Sequence, residues 1–505
     1  MKNLSAIFLS AVLLAAQGPA RREPPEAPAA AQKAAAEAEE KPVITHHKIT
    51  LAGKALAYTA TTGFLPIKNE QGHTEANMFY VAYTADNSGA KRPLTFAFNG
   101  GPGSATIWLH MGCFGPKRVK MRPNGFMPPP PFEWEDNQNT ILDRTDIVFV
   151  DAIGTGYSRA ANPELGKKFF SVSGDIAAFG EFIRLYLQKN SRWTSPVYLA
   201  GESYGTTRAA GLSGYLVDHG IALNGIVLIS TVLNFETISF GIGNDLPYVL
   251  YLPTYAVTAA FHHKLTADLE KDPEALRQEV EKFAAAEYAL ALQQGDAIDP
   301  NLRQSIIDRL ARYTGLSKQY IARCDLRVDL SHFDTELLRD EAKIVGRLDG
   351  RFTAFNETAT QQTPEFDPSE AAIRPPYTSV FGDYVKTELG FQSDAVYYVL
   401  GGGIGRWDFD TLGGRSGFAD TSQALRRAFA KNPFLQVYIA EGFYDAATPY
   451  FAVEYTFNHM GLTAEAHKNI TRGHFNAGHM VYIDNESMTK LKQDVDSLFD
   501  RSLAR

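Results

Sequence analysis

Short apolar runs bounded by turn residues recur along the chain. They alternate with stretches whose apolar residues repeat every three or four positions. The runs are Pro93–Asn99, Asp146–Asp151, Val197–Ala200, Asn224–Ser230, Leu435–Ala440 and Ala466–Thr471. The stretches between and after them include Ile176–Leu187, Thr206–Leu216, Ser422–Ala430, Phe451–Met460 and Glu486–Leu498. A continuous apolar run fits a strand covered on both faces, and a period near 3.6 fits a helix with one face inward. Strands alternating with helices predict an α/β fold with a mainly parallel central sheet and its site at the strand C-terminal ends. Ahead of this series, His47 to Tyr83 is rich in β-branched and aromatic residues punctuated by Gly and Asn, which predicts antiparallel hairpins.

The pattern changes after about residue 233. Asp272-Pro273 and Asp299-Pro300 open short charged helices, the first with Leu276, Val280, Phe283 and Tyr288 on one face and Gly295 closing it. Ser317 and Asp334 read as further helix caps. The apolar stretch Tyr248–Phe261 is interrupted by Pro253 and Thr254 and reads as core or pocket wall. The expected organisation is a hydrolase core in two parts, 43–232 and 401–505, with a helical cap inserted over 233–400. At the N-terminus, Lys2 precedes an apolar segment from Leu4 to Ala16 with small residues after it, the pattern of a signal peptide over 1–20. Residues 21–42, mostly Ala, Glu and Pro, read as a solvated linker. This predicts a periplasmic or secreted protein with no stable membrane span after cleavage.

Charge removes one class of partner. With 49 Lys and Arg against 57 Asp and Glu, the net charge of −8 and the lack of a basic stripe argue against nucleic acid. Only Cys113 and Cys324 are present, so no disulfide framework is expected. Whether those two pair is a matter of geometry, and the oligomeric state is open.

Gly201-Glu202-Ser203-Tyr204-Gly205 lies between a predicted strand and a predicted helix. A nucleophile elbow needs this arrangement: a Ser in a strained turn, with small residues that let strand and helix crowd together. The competing reading is a Ser that only caps the helix. Gly100-Gly101-Pro102-Gly103-Ser104 ends another strand, and its glycines allow backbone N–H groups to approach a ligand; taken alone, it reads first as a tight turn after the strand. Asp445 and His479 fall in loops leaving the last two strands. The order Ser203, Asp445, His479 is that of an α/β hydrolase. His474 and His479 show no third ligand nearby in sequence, so no metal and no cofactor is expected. His46-His47 and His262-His263 read as surface or core pairs. His110 either faces the pocket or packs.

Taken together, FNGGPGS (Phe98–Ser104), GTGYS (Gly154–Ser158), GESYG (Gly201–Gly205), the Gly442–Asp445 stretch followed by Thr-Pro, and AGHMV (Ala477–Val481) make the chain resemble the serine carboxypeptidases, specifically a bacterial exported member. The resemblance implies an α/β-hydrolase fold and hydrolysis of C-terminal peptide bonds through an acyl-enzyme on Ser203. His479 would be the base and Asp445 its orienting acid. The N–H groups of Gly101 and Tyr204 would form the oxyanion hole. Asn99, Gly100, Glu202 and Met480 would bind the peptide substrate. An esterase or acyltransferase with the same triad is the alternative. Three positions depart from the family pattern: Cys113 stands where a second Glu is usual, Ala97 replaces a Trp, and Ala152 replaces a Pro.

Overall fold

The computed structural model describes residues 41–504 except 87, 88, 90 and 411–416. The export segment and nearly all of the linker expected from sequence lie outside the described residues. The central sheet is built from β1 (Val43–Leu51), β2 (Lys54–Lys68), β3 (Thr74–Ala85), β4 (Leu94–Phe98), β5 (Asp146–Val150), β6 (Val197–Ser203), β7 (Gly225–Thr231), β8 (Gln436–Gly442) and β9 (Ile470–Phe475). Their order across the sheet is β1-β2-β3-β5-β4-β6-β7-β8-β9. The first three strands pair antiparallel and join β5 antiparallel; from β5 onward every neighbour is parallel.

The helices that bear on the site are α1 (Val172–Lys189), α2 (Tyr204–Asp218), α3 (Leu246–Phe261), α4 (Pro273–Phe283), α5 (Pro300–Thr314), α6 (Leu330–Glu336), α7 (Pro368–Thr387), α8 (Ser422–Lys431), α9 (Tyr450–Asn458) and α10 (Asn485–Leu503). Alternate residues of each parallel strand enter different cores, because successive side chains point to opposite faces. Val197, Leu199, Ile226, Leu228, Val437 and Ile439 pack under α1, α2, α8 and α9. Tyr198, Ala200, Val227, Ile229, Tyr438 and Ala440 pack under α7 and α10. Both faces are covered, which is why these strands read as unbroken apolar runs. A third core, separate from both, joins residues of α3, α4, α5 and α6 within the helical insertion.

Local readings differ in several places. α3 runs through Pro253 without a break, because it is buried on nearly all sides and packing outweighs one missing donor. Asp334 caps nothing: it lies inside α6, whose cap is Asp329, accepting from the His332 N–H at 3.0 Å. Beyond Phe283 the helix widens into a π-helical turn, Ala284–Tyr288, rather than running regularly to Gly295. The segment Ala464–Lys468 is a short helix capped by Thr463, so the last strand starts at Ile470, not Ala466. His110 packs: it is buried, stacked on Phe149 (4.4 Å) and bonded to the Tyr83 hydroxyl at 2.7 Å, and burial lowers its imidazole to about 3. Both cysteines are free. Among the described residues no helix is long and apolar enough to cross a membrane.

One buried ion pair fixes the elbow helix in place. Arg208 on α2 is fully buried and grips Asp175 of α1 with two hydrogen bonds, 2.8 and 3.1 Å. Its Nη1 donates to the Asn99 carbonyl at 2.6 Å, and its guanidinium lies 4.3 Å from the Phe179 ring centre. Arg208→Met is expected to cost about 3–5 kcal/mol, since it strands the Asp175 carboxylate in the core. The double change with Asp175→Leu is expected to recover much of that loss, as read from urea denaturation midpoints.

Candidate active site

Strand β6 ends in Ser203, whose backbone sits at φ 60°, ψ −132°, a conformation costly for any residue but Gly. The hydroxyl makes no capping bond to α2, so the helix-cap reading of this Ser fails. The turn survives because its neighbours are small. A Cβ on Gly201 would overlap the Gly205 carbonyl, and one on Gly205 would sit 2.7 Å from the Phe98 oxygen. A Cβ on Gly100 would overlap the backbone nitrogens of Tyr204 and Gly205, so the Gly100–Gly103 turn and the elbow touch backbone to backbone. Gly101 and Gly103 adopt φ 102° and 93°. Tyr204 is the first residue of α2, where an N–H has no acceptor within the helix.

Asp445 is completely buried. Its Oδ1 accepts from the N–H groups of Ala447 and Thr448, both at 2.9 Å. Its Oδ2 accepts from Thr448 Oγ1 at 2.8 Å and pairs with His479 Nδ1 at 2.9 Å. Burial lowers the His479 pKa, but the charge and hydrogen bond of Asp445, with Glu202 behind, outweigh it and leave the pKa raised. Nδ1 is thus committed to Asp445, and Nε2 is left for a reaction partner. Strand β7 brings this loop to the elbow: Thr231 is in register with Ser203, and the Ser230 hydroxyl donates to the His479 carbonyl at 2.6 Å.

Glu202, Asn99 and Tyr482 form a buried polar group next to the elbow. Glu202 is pushed up to about 7, chiefly by burial, despite the opposing effects of His479, the Tyr482 bond and the nearby Asn99 amide. The Tyr482 hydroxyl donates to Glu202 Oε2. Asn99 Oδ1 accepts from the Leu109 N–H at 2.9 Å, while its Nδ2 is buried with no hydrogen-bond partner. Cys113, in the sequence position of the family's second Glu, is buried; burial first, and then Glu202, push its thiol pKa well up. Met480 is also buried and packs into the core under α7 and α10.

Sequence reasoning misses two contributors. Tyr482 carries no motif of its own, although it lies only three residues beyond His479. The segment Gly346–Phe352, inside the helical insertion, clamps the loops that carry Asp445 and His479. The His479 N–H donates to the Leu348 carbonyl at 2.6 Å, Gly478 N–H to Asp349 Oδ2 at 3.1 Å, and Ala446 N–H to the Arg347 carbonyl at 3.1 Å. Beside it, Pro102 of the glycine turn opens onto a cavity of about 760 Å³ lined also by Asp334, Arg347, Glu370 and Arg374.

Known proteins with these features were found at three levels. The family model for serine carboxypeptidases matches residues 52–484. Serine carboxypeptidase S10 family member 1 of Dictyostelium discoideum is 24% identical over 246 residues, 48% of this chain and 52% of the relative. Serine carboxypeptidase-like 50 of Arabidopsis thaliana is 28% identical over 287 residues, 54% of this chain and 58% of the relative. The alignments thus span about half the length of these relatives. In fold, the chain is similar to Kex1(Δ)p, a prohormone-processing carboxypeptidase from Saccharomyces cerevisiae. That match has a TM-score of 0.53 at 15% identity and covers 88% of this chain and 91% of the other.

The elbow geometry makes Ser203 the expected target of a fluorophosphonate probe. Wild type is expected to label at one site. His479→Ala is expected to slow labelling about 100-fold or more, and Ser203→Ala to abolish it, as read by gel fluorescence. Labelling that persists in Ser203→Ala would count against the elbow as the reactive centre.

Proposed function

This chain belongs to the serine carboxypeptidase family, and from that premise we propose that it releases single residues from peptide C-termini. Ser203 attacks the scissile carbonyl, and His479 takes the hydroxyl proton at Nε2 and passes it to the leaving amine. Asp445 holds the imidazole in the correct tautomer and stabilises its cation. The N–H groups of Gly101 and Tyr204 receive the developing oxyanion; each such donor is worth roughly 100- to 1000-fold in rate. Water then hydrolyses the acyl-enzyme by the same steps in reverse order.

One observation carries the exopeptidase reading. Two buried groups that can donate to a carboxylate, the orphaned Asn99 Nδ2 and a Glu202 that holds its proton up to about pH 7, lie beside the elbow. A buried donor without an acceptor is costly, and a substrate carboxylate relieves that cost. Gly100 leaves room for the chain end, and Met480 contributes to the apolar packing behind the site. Tyr482 takes the second acid's place in bonding Glu202, but a phenol does not share a proton equally with a carboxylate as another Glu does. The cavity beside Pro102, closed on one side by the 233–400 insertion acting as a cap, takes a substrate side chain. The core is formed by 43–232 and 401–505. The N-terminal segment 1–20 directs export to the periplasm or exterior.

The test compares an N-blocked dipeptide with its C-terminal amide. At pH 6 the acid is expected to exceed the amide by about 100-fold or more in kcat/KM, because the amide leaves buried donors badly paired. Equal rates would remove carboxylate recognition, and turnover of an N-blocked ester without peptide cleavage would favour the esterase alternative. The pH dependence has a definite sign. Below about 7 Glu202 is protonated and donates to the substrate; above it the carboxylate repels the chain end. KM for the acid substrate is therefore expected to rise as pH passes through about 7, with no such rise for an ester. Tyr482→Phe removes a bond to the charged form, which raises the Glu202 pKa further and moves that limb to higher pH.

A further inference from the structure

Away from Ser203, three side chains converge where β8, β9 and α9 meet. Glu441 of β8 and His474 of β9 are register partners on adjacent parallel strands, so their side chains project from the same face. Glu454 comes down on them from α9, the helix covering that face. His474 Nε2 lies 3.2 Å from Glu441 Oε2 and 3.3 Å from Glu454 Oε1, and the ligand atoms of all three residues lie within 4.8 Å of one another. The histidine ring is held by stacking on Phe443 (centroids 5.5 Å, planes 4° apart) and by the edge of Tyr450.

Glu441 is the unusual member. It is 1% exposed, and apart from the His474 ring nitrogen 3.2 Å from Oε2 its carboxylate oxygens have no hydrogen-bond partner. A buried carboxylate whose second oxygen is left without a partner is expensive unless a proton or a cation completes its shell. Arg472, on the same strand face as His474, does not fill this role: its guanidinium turns over the Phe457 ring at 5.6 Å. A further carboxylate, Glu281, lies near Glu454, held by the Tyr450 hydroxyl at 2.8 Å and paired with Arg277 at 3.3 Å.

We propose that Glu441, Glu454 and His474 form a site for a divalent transition-metal cation such as Zn²⁺, with its fourth position open to water. Zinc with bonds of about 2.0–2.1 Å in tetrahedral geometry places its ligand atoms roughly 3.3–3.4 Å apart. The two observed N···O separations are close to that span, and one imidazole with two carboxylates is a donor set that zinc accepts. His474 is exposed, leaving one side of the site accessible. In sequence, the one histidine near His474 is His479, but the fold supplies its partners from a neighbouring strand and a helix instead. A cation here would tie together the two strands whose following loops carry Asp445 and His479. It takes no part in the triad's proton transfers.

The competing occupant is a proton. Hydrogen bonding to Glu441 and then Glu454 pushes the His474 imidazole up to about 9, so the metal-free cluster can be closed by an imidazolium. Metal binding separates the two, with a readout independent of peptidase activity. The full chain, free of any affinity tag and stripped with a chelator, would be titrated with Zn²⁺ by calorimetry and counted by mass spectrometry after gel filtration. The expected result is one zinc per chain, with affinity falling tenfold or more in both His474→Gln and Glu454→Gln. Zinc is also expected to raise the melting temperature of wild type but not of the variants. Glu454 is partly exposed, so its variant tests the site even if substitution in the buried part disturbs folding. Absence of bound zinc in wild type, or equal zinc in wild type and both variants, would overturn the site. The first would leave a proton-closed cluster, and the second would point to the paired histidines elsewhere.

Discussion

The architecture depends on a contact between two backbones. Where β4 and β6 end, the Gly100 Cα lies so close to the amides of Tyr204 and Gly205 that no side chain fits between them. The crowding accompanies a Ser203 backbone held in a conformation that would relax in an isolated peptide. The strain persists because the surroundings over-determine it. Arg208 ties the helix after the elbow to the Asn99 carbonyl on one side and to Asp175 on the other. Sheet, elbow and glycine turn are therefore tied into one unit, the kind of preorganisation that the proposed stabilisation of an oxyanion would require.

Asp445 and His479 are positioned from farther away. Their loops leave β8 and β9, but the atoms that hold them belong to the insertion: the Leu348 carbonyl, the Asp349 carboxylate and the Arg347 carbonyl. The cap thus shapes a cavity and also sets the register of the His479 and Asp445 loops against the elbow. Its core is separate from the two cores that flank the sheet. A sequence change in the cap could consequently alter rate as well as side-chain preference.

Those parts of the site that local chemistry dictates are legible in the sequence. A Ser at positive φ needs glycines two residues away, and a turn approached by another backbone needs glycine within it, so GESYG and NGGPG become legible once each is read with the strand before it and with the other motifs. The doubly covered strands are legible as apolar runs for the same kind of reason. What does not show in the sequence depends on contacts distant along the chain. Arg208 reads as an ordinary helical cation, yet it is buried against α1. Tyr482 becomes informative only once the loop after β9 folds back onto Glu202. Asp334 has the composition of a cap, but tertiary packing places it inside a helix. Pro253 reads as a break, and burial of α3 on nearly every side overrides it.

The central claim is covalent: a peptide's acyl group passes to Ser203 before water receives it. Acid-quenching the enzyme within milliseconds of mixing with an N-blocked dipeptide, then mapping its proteolytic peptides by mass, tests this directly. The account requires the blocked acyl group on the peptide containing Ser203, with one equivalent of free amino acid released. Turnover with that peptide unmodified and the acyl group on another residue would contradict it.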